Sequence, residues 1–105
     1  MPTPVENLNL NIFRQHLHSS FKVQDAAAGA ILLELVDAIE GNTSPKLELF
    51  SVYFRGPFTP RLPQQIHRLE HEKLGLLEIF LTPIEADRER GTTYESVFHR
   101  FRKPQ

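Results

Sequence analysis

The stretch AILLELVDAIE, Ala30 to Glu40, decides the fold. Read with a period of two, Leu33, Leu35, Asp37 and Ile39 lie against Leu32, Glu34, Val36, Ala38 and Glu40, as on a strand. Ala26 to Ala28, just before it, favour a helix. Gly41, Asn42, Ser44 and Pro45 then form a turn, and a second stretch begins at Lys46. There Leu47, Leu49, Ser51 and Tyr53 alternate with Glu48, Phe50, Val52 and Phe54, a run of β-formers. A strand over Ala30 to Ile39 would pair with it across the turn, which favours strand and keeps helix as the alternative.

Upstream, Phe21 to Asp25 alternates apolar with polar and is predicted as a half-buried strand. Before it, Leu10, Phe13 and Leu17 recur at helical spacing, and Asn9 or Asn11 can cap the first turn, predicting a short helix over 9–17. Such a helix is marginal alone and needs a sheet to lie on.

Downstream, Gly56 to Pro63 carries three prolines and is predicted as an irregular connection. Gln65 to His71 reads as a short strand. Glu72 to Gly75 reads as a turn, with Gly75 supplying positive φ. Leu76 to Leu81 is a strong strand that Pro83 is expected to end. Glu85 to Gly91 reads as a charged loop, and Thr93 to Phe101 as a last strand. The predicted fold is mainly β: a small antiparallel meander barrel or sandwich over about 21–101, with one short N-terminal α-helix.

Composition agrees. The chain has 105 residues, 40% hydrophobic and 24% charged, which suits one globular domain over residues 1–105. It has no Cys, which excludes disulfides, thiolate metal sites and cysteine nucleophiles. A net charge of -1 removes the usual electrostatic case for nucleic acid or an anionic membrane. Pro2, Pro4 and Glu6 interrupt any signal-peptide pattern, and the apolar run from Ala26 to Val36 falls short of the ~20 residues of a membrane span. The default expectation is cytoplasmic, or part of an assembled extracellular particle.

Residues able to carry chemistry are few. His67 and His71 stand four apart, but on a strand that spacing is ~13 Å along one face, so surface histidines are favoured over a metal site. Five histidines and several serines allow a Ser–His pair by chance, with no motif around it. His99 to Lys103 is a basic, aromatic tail, better read as a strand end defended by cations than as an RNA site. More telling are apolar residues on both faces of one strand. Leu76 and Phe80 oppose Leu77, Ile79 and Leu81, and Leu32 and Val36 oppose Leu33 and Leu35. One set enters the core; the other needs the helix or a partner to cover it.

FSVYFRGPFTPRLPQQIHRLEHEKLGLLEIFLTPI, Phe50 to Ile84, followed by TYESVF, Thr93 to Phe98, resembles a family of small uncharacterised bacterial proteins. The family pattern is F-R-G-P, L-P-Q-G-x-Y-x-L-E-H-P-x-L-G, an apolar strand with F-L-x-P, and a closing Y-E-x-V-F. The opening LNLNIFRQHLHSSFKV matches the family's helix and first strand, so the resemblance covers most of the chain. Arg55, Gly56, Pro57, Leu62, Pro63, Gln64, Leu69, Glu70, His71 and Gly75 fit the pattern. Gln65 replaces its Gly, His67 its aromatic and Glu72 its Pro. Members are often encoded beside phage-tail-collar-domain proteins, so the resemblance implies a role in tail-like or fibre-like assemblies. It supplies no catalytic residues.

The expectation is a non-enzymatic interaction module with no cofactor and no metal. Its partner would be a protein, such as a tail-collar or fibre protein, or a second copy in a homo-oligomer, and not nucleic acid or membrane. The alternative is a barrel that binds a small ligand or is an enzyme. The proline-fixed connection offers Phe58 and Leu62 as apolar anchors beside Arg55 and Arg61. The same residues would serve as a lid if folded onto the core. Arg55 and Glu70 are candidates for an internal ion pair.

Overall fold

The computed structural model describes residues 8–25, 29–42 and 44–101, which leaves Ala26 to Ala28, Arg102 and Lys103 outside the described residues. The elements are helix α1 (Leu10–Gln15) and strands β1 (Ser20–Asp25), β2 (Gly29–Glu40), β3 (Leu47–Gly56), β4 (Gln65–His71), β5 (Gly75–Asp87) and β6 (Gly91–Phe101). The strands close into one antiparallel barrel in the order β1-β2-β3-β6-β5-β4. The mainly β fold with a short N-terminal helix is as predicted, and Ala30–Ile39 is strand. Among the described residues no helix is long and apolar enough to cross a membrane.

Each half of the barrel is a three-stranded meander. The halves join by two non-local seams, β3 with β6 and β1 with β4. In that order β3 and β4 stand on opposite sides, so residues 57–64 must cross one end of the barrel instead of making a hairpin. The sequence could not show this, because a connection's length does not say which strands it bridges.

The mixed periodicity of β2 has a structural cause. Ile31, Leu33 and Leu35 point inward, the register with β3 shifts between Leu35 and Asp37, and Ala38 resumes the inward set. The bulge inserts one residue, so the apolar parity flips and Ile39 is left half exposed. Pro83, expected to end its strand, instead lies at a second register shift, between Pro83 and Glu85, and β5 continues to Asp87. A bulge is where a strand tolerates proline's missing donor. The expected loop shrinks to the turn 88–90, closed by Gly91 at φ 97°.

The interior is filled by side chains. Phe21 meets Phe54 edge-on at 5.2 Å, and Phe50 stacks on Phe98 at 4.8 Å. Helix α1 plugs the end that carries the β2–β3 turn. The Asn9 side chain accepts from the Ile12 N–H at 2.9 Å, and the fully buried Phe13 lies 5.4 Å from the Phe98 ring and 6.1 Å from Phe50. Arg100 ties the plug down by donating to the Leu8 carbonyl and to Glu48. The helix is shorter than predicted, because residues 16–18 turn the chain into β1.

Candidate functional site

The two barrel ends carry the groups capable of recognition. At the end opposite α1, the 57–64 crossing is nailed to the barrel at three points. The Leu62 N–H donates to Tyr94 Oη at 2.9 Å, Thr92 Oγ1 donates to the Phe58 carbonyl at 3.3 Å, and His67 Nε2–H donates to the Pro63 carbonyl at 2.7 Å. Leu62 is 1% exposed, so it is spent on the protein's own core and is not available to anchor a partner. Gly91 permits the close approach that shapes this end: a Cβ there would sit 2.1 Å from the Gly56 carbonyl oxygen.

Phe58 differs from Leu62. It is half-buried, with the Arg61 guanidinium 6.0 Å and the Arg88 guanidinium 5.9 Å from its ring centroid, within reach of cation–π attraction. Arg55 and Arg90 are exposed at the same end, the first beside Gly56 on β3 and the second on the 88–90 turn. Among the described residues no carboxylate lies within ion-pairing distance of these four arginines. Asp87, just before the turn, accepts from the Glu89 and Arg90 N–H groups at 2.8 and 3.1 Å. Those bonds, Arg90's first, hold its carboxyl below the usual range, and the Arg90 and Arg55 charges add to the effect from beyond ion-pairing distance. The end is therefore a half-buried ring among guanidiniums with spare donors.

Arg55 and Glu70 do not pair. They lie on strands across the barrel, and Glu70 faces Lys22 at 3.8 Å instead. Arg88 and Arg90 were not singled out in the sequence. They reach the site from a turn about thirty residues downstream: the β5–β6 hairpin forms the turn, and the β3–β6 pairing, with Gly56 opposite Thr92, brings it to Gly56.

His67 and His71 are both buried, against the surface reading. They share the inward parity of Leu69 on β4, and each has its own partner. At the α1 end, His71 Nδ1 accepts from the Lys73 and Leu74 N–H groups at 3.0 and 3.1 Å. The ring proton must then sit on Nε2, which donates to Ser19 Oγ at 2.9 Å. The Ser19 hydroxyl in turn donates to the His16 carbonyl at 2.5 Å. This chain of bonds runs opposite to that of an activated serine, whose base must receive the hydroxyl proton. Burial first, and then the His16 ring 4.8 Å away, lower the His71 pKa below the ordinary 6.5. The cluster is a polar clamp on the β4–β5 turn.

Beside the clamp lies a polar crevice of about 460 Å³, lined by residues that include His16, His18, Ser20 and Lys73. His18 adopts φ 68° there, with its Nδ1 2.9 Å from Glu34. Among the described residues no group of three His, Asp or Glu side chains is placed to hold a metal. The tail histidine His99 is exposed, while Arg100 is bound to Glu48 at 2.8 Å.

Neither a curated protein nor a solved structure matches the chain. A family model does, the domain of unknown function DUF6916, over residues 8–98. That span runs from the plug residue Leu8 to Phe98 of the last strand, so the match takes in the helix, all six strands and the crossing loop, and the chain belongs to the DUF6916 family.

Proposed function

We propose that this chain is a non-enzymatic protein-interaction module that docks an acidic segment of a partner at the Phe58 end of its barrel. The observation that supports the reading is the half-buried Phe58 ring between Arg61 and Arg88, with Arg55 and Arg90 nearby and no carboxylate paired to any of the four among the described residues. A loop fixed by Leu62, Pro63 and Phe58 loses little conformational entropy on docking. Guanidiniums suit bidentate recognition of carboxylates, and a desolvated aromatic among them is the composition of a binding hot spot. In this reading, which the family resemblance suggests, the partner is part of a tail-like or fibre-like assembly and this chain is an accessory or structural component.

The test is affinity capture from the native host with the natural chain and with the Arg61→Glu/Arg88→Glu chain, the bound proteins being identified by mass spectrometry. The natural chain should retain a protein with an acidic segment, more weakly at high salt, and charge reversal should release it. An identical set of bound proteins with both chains would refute the reading.

The crevice beside His16 and His71 favours a second reading, binding of a small polar ligand. Its volume is in the range of small-molecule sites, and Lys73, Ser20 and the histidines supply polar contacts. Chemical-shift changes confined to these residues on ligand screening would support it.

A further inference from the structure

Strand β5 is paired on both sides over only part of its length. From Gly75 to Leu81 it runs against β4, with Ile66 opposite Phe80 and Glu70 opposite Leu76. Its ladder with β6 begins only at Thr82↔Glu95 and continues toward Gly91. Beyond Glu95, β6 stays with β3 as far as Phe101 and leaves β5 behind. Leu76 to Leu81 therefore form an open edge, with no strand on the β6 side among the described residues. Every second residue there has main-chain donor and acceptor groups that a further strand would satisfy.

Apart from one charge, Glu78, the edge lacks the usual defences. It carries no lysine and no proline, and both the bulge and Pro83 lie further along, on the paired part of β5. Its inward residues Leu77, Ile79 and Leu81 are buried, so the core is sealed. Its outward residues are apolar at both ends, Leu76 and Phe80, with Glu78 between them. Phe80 is 47% exposed and its cross-strand neighbour Ile66 63%. Glu78 is held by Arg68 of β4 at 3.2 Å.

We infer that this edge pairs antiparallel with the same edge of a second copy of the chain, Leu76 facing Phe80 of the other copy and Glu78 lying on the two-fold axis. The register follows from parity and charge. Facing residues of a continuous sheet share a face, so outward residues must meet outward residues. Of the registers that satisfy this, only the one centred on Glu78 puts apolar opposite apolar; shifting the centre to Leu77 or Ile79 sets Glu78 against Leu76 or Phe80. At the centre, the two Glu78 carboxylates are flanked by two Arg68 guanidiniums, so charge is balanced across the axis. The contact is isologous and closes at two subunits. This inference deepens the interaction-module reading and concerns a face remote from Phe58, so the Arg61 and Arg88 variants leave it untouched and the two ideas fail separately.

The chain has no Cys, which makes the test direct. Sedimentation velocity from low micromolar to submillimolar protein should show a concentration-dependent dimer, as expected for a joint at the small end of stable interfaces. Glu78→Cys, placed on the axis, should form a covalent dimer under mild oxidation. Glu85→Cys, exposed on the paired part of the same strand, should not. Phe80→Lys and, separately, Leu76→Lys should each weaken dimerisation at least tenfold without changing the circular dichroism spectrum. A chain that stays monomeric throughout overturns the inference. So does a dimer that cross-links equally well at both cysteine positions, or one indifferent to both lysine substitutions.

Discussion

Replacing Leu62 by Ala separates the two roles a fixed surface loop can play. Leu62 is 1% exposed at the centre of the 57–64 crossing, and its N–H is bonded to Tyr94 Oη at 2.9 Å. Truncating a buried Leu to Ala costs about 2–5 kcal/mol, the spread reflecting how far the site can collapse. The crossing is held at Phe58 and Pro63 on either side, which limits collapse, yet it is a loop and not a strand. Those two facts place the expected loss near the middle, about 3 kcal/mol. For a domain of this size each kcal/mol lowers Tm by roughly 4–8 °C, so the fall should be roughly 12–24 °C. Phe58→Ser is the companion. That ring is only half-buried, so the change should cost about 1 kcal/mol, typical of a single substitution, while abolishing capture of an acidic partner. Urea unfolding followed by circular dichroism measures both. A loss under ~1 kcal/mol for Leu62→Ala, or a larger loss for Phe58→Ser than for Leu62→Ala, refutes the division of the loop into lid and contact.

Phe13→Ala should cost about 3–5 kcal/mol by chemical denaturation, since the plug is fully buried against Phe50 and Phe98; under ~1 kcal/mol would make α1 peripheral. Tyr94→Phe leaves the buried Leu62 N–H without its acceptor and should lower stability by about 1–3 kcal/mol, with amide exchange at Leu62 accelerated; unchanged exchange there would break the argument. Gly91→Ala should give no stable protein, or a loss well beyond the roughly 1 kcal/mol of an ordinary backbone effect, because φ is 97° and the Cβ would meet the Gly56 carbonyl; normal melting contradicts this. The folded-state pKa of His71 lies below its unfolded value of about 6.5, so the unfolded chain binds the extra proton first. Stability should therefore hold above pH 6.5 and decline as pH falls below it, with a smaller slope in His71→Asn; equal slopes would remove His71 as the cause.

The strands were legible because their periodicity survives in the sequence. Gln65–His71 and the turn at Gly75 follow from alternation and one positive-φ position. The part that misled was local. Ile66 beside His67 suggests that the histidine faces water, but parity is set by Leu69, which takes His67 and His71 inward with it and leaves Ile66 outside. The strand spacing that argued against a metal site does not say which face the histidines take; parity with Leu69 does, and it turns both inward. Of the candidate contact residues, Arg55, Phe58 and Arg61 do gather at one end of the barrel. Leu62 was indistinguishable from them, since burial of a loop residue depends on which strands the loop bridges. Arg88 and Arg90 carry no local signal, because the place of Arg88 beside Phe58, and of Arg90 at the same end, is set by strand pairing alone.

The two seams that close the barrel are unequal, and this bears on how the molecule assembles and breathes. β3 and β6 are joined along ten rungs, from Leu47↔Phe101 to Gly56↔Thr92, whereas β1 and β4 share three, at Phe21↔His71, Lys22↔Glu70 and Val23↔Leu69. Both bring together residues distant in sequence, 36 to 54 positions apart across β3–β6 and 46 to 50 across β1–β4, so each pays the loop-closure entropy that slows folding of non-local sheets. The long seam repays that cost with many rungs, while the short one does so only once the rest is in place. Zipping is therefore expected to run from the local meanders to β3–β6 and to end at β1–β4. In the native state the same order is reversed. In amide hydrogen exchange, Phe21 to Val23 should open before Phe50 to Phe54, as expected for a barrel that breathes along β1–β4; the reverse order would refute this.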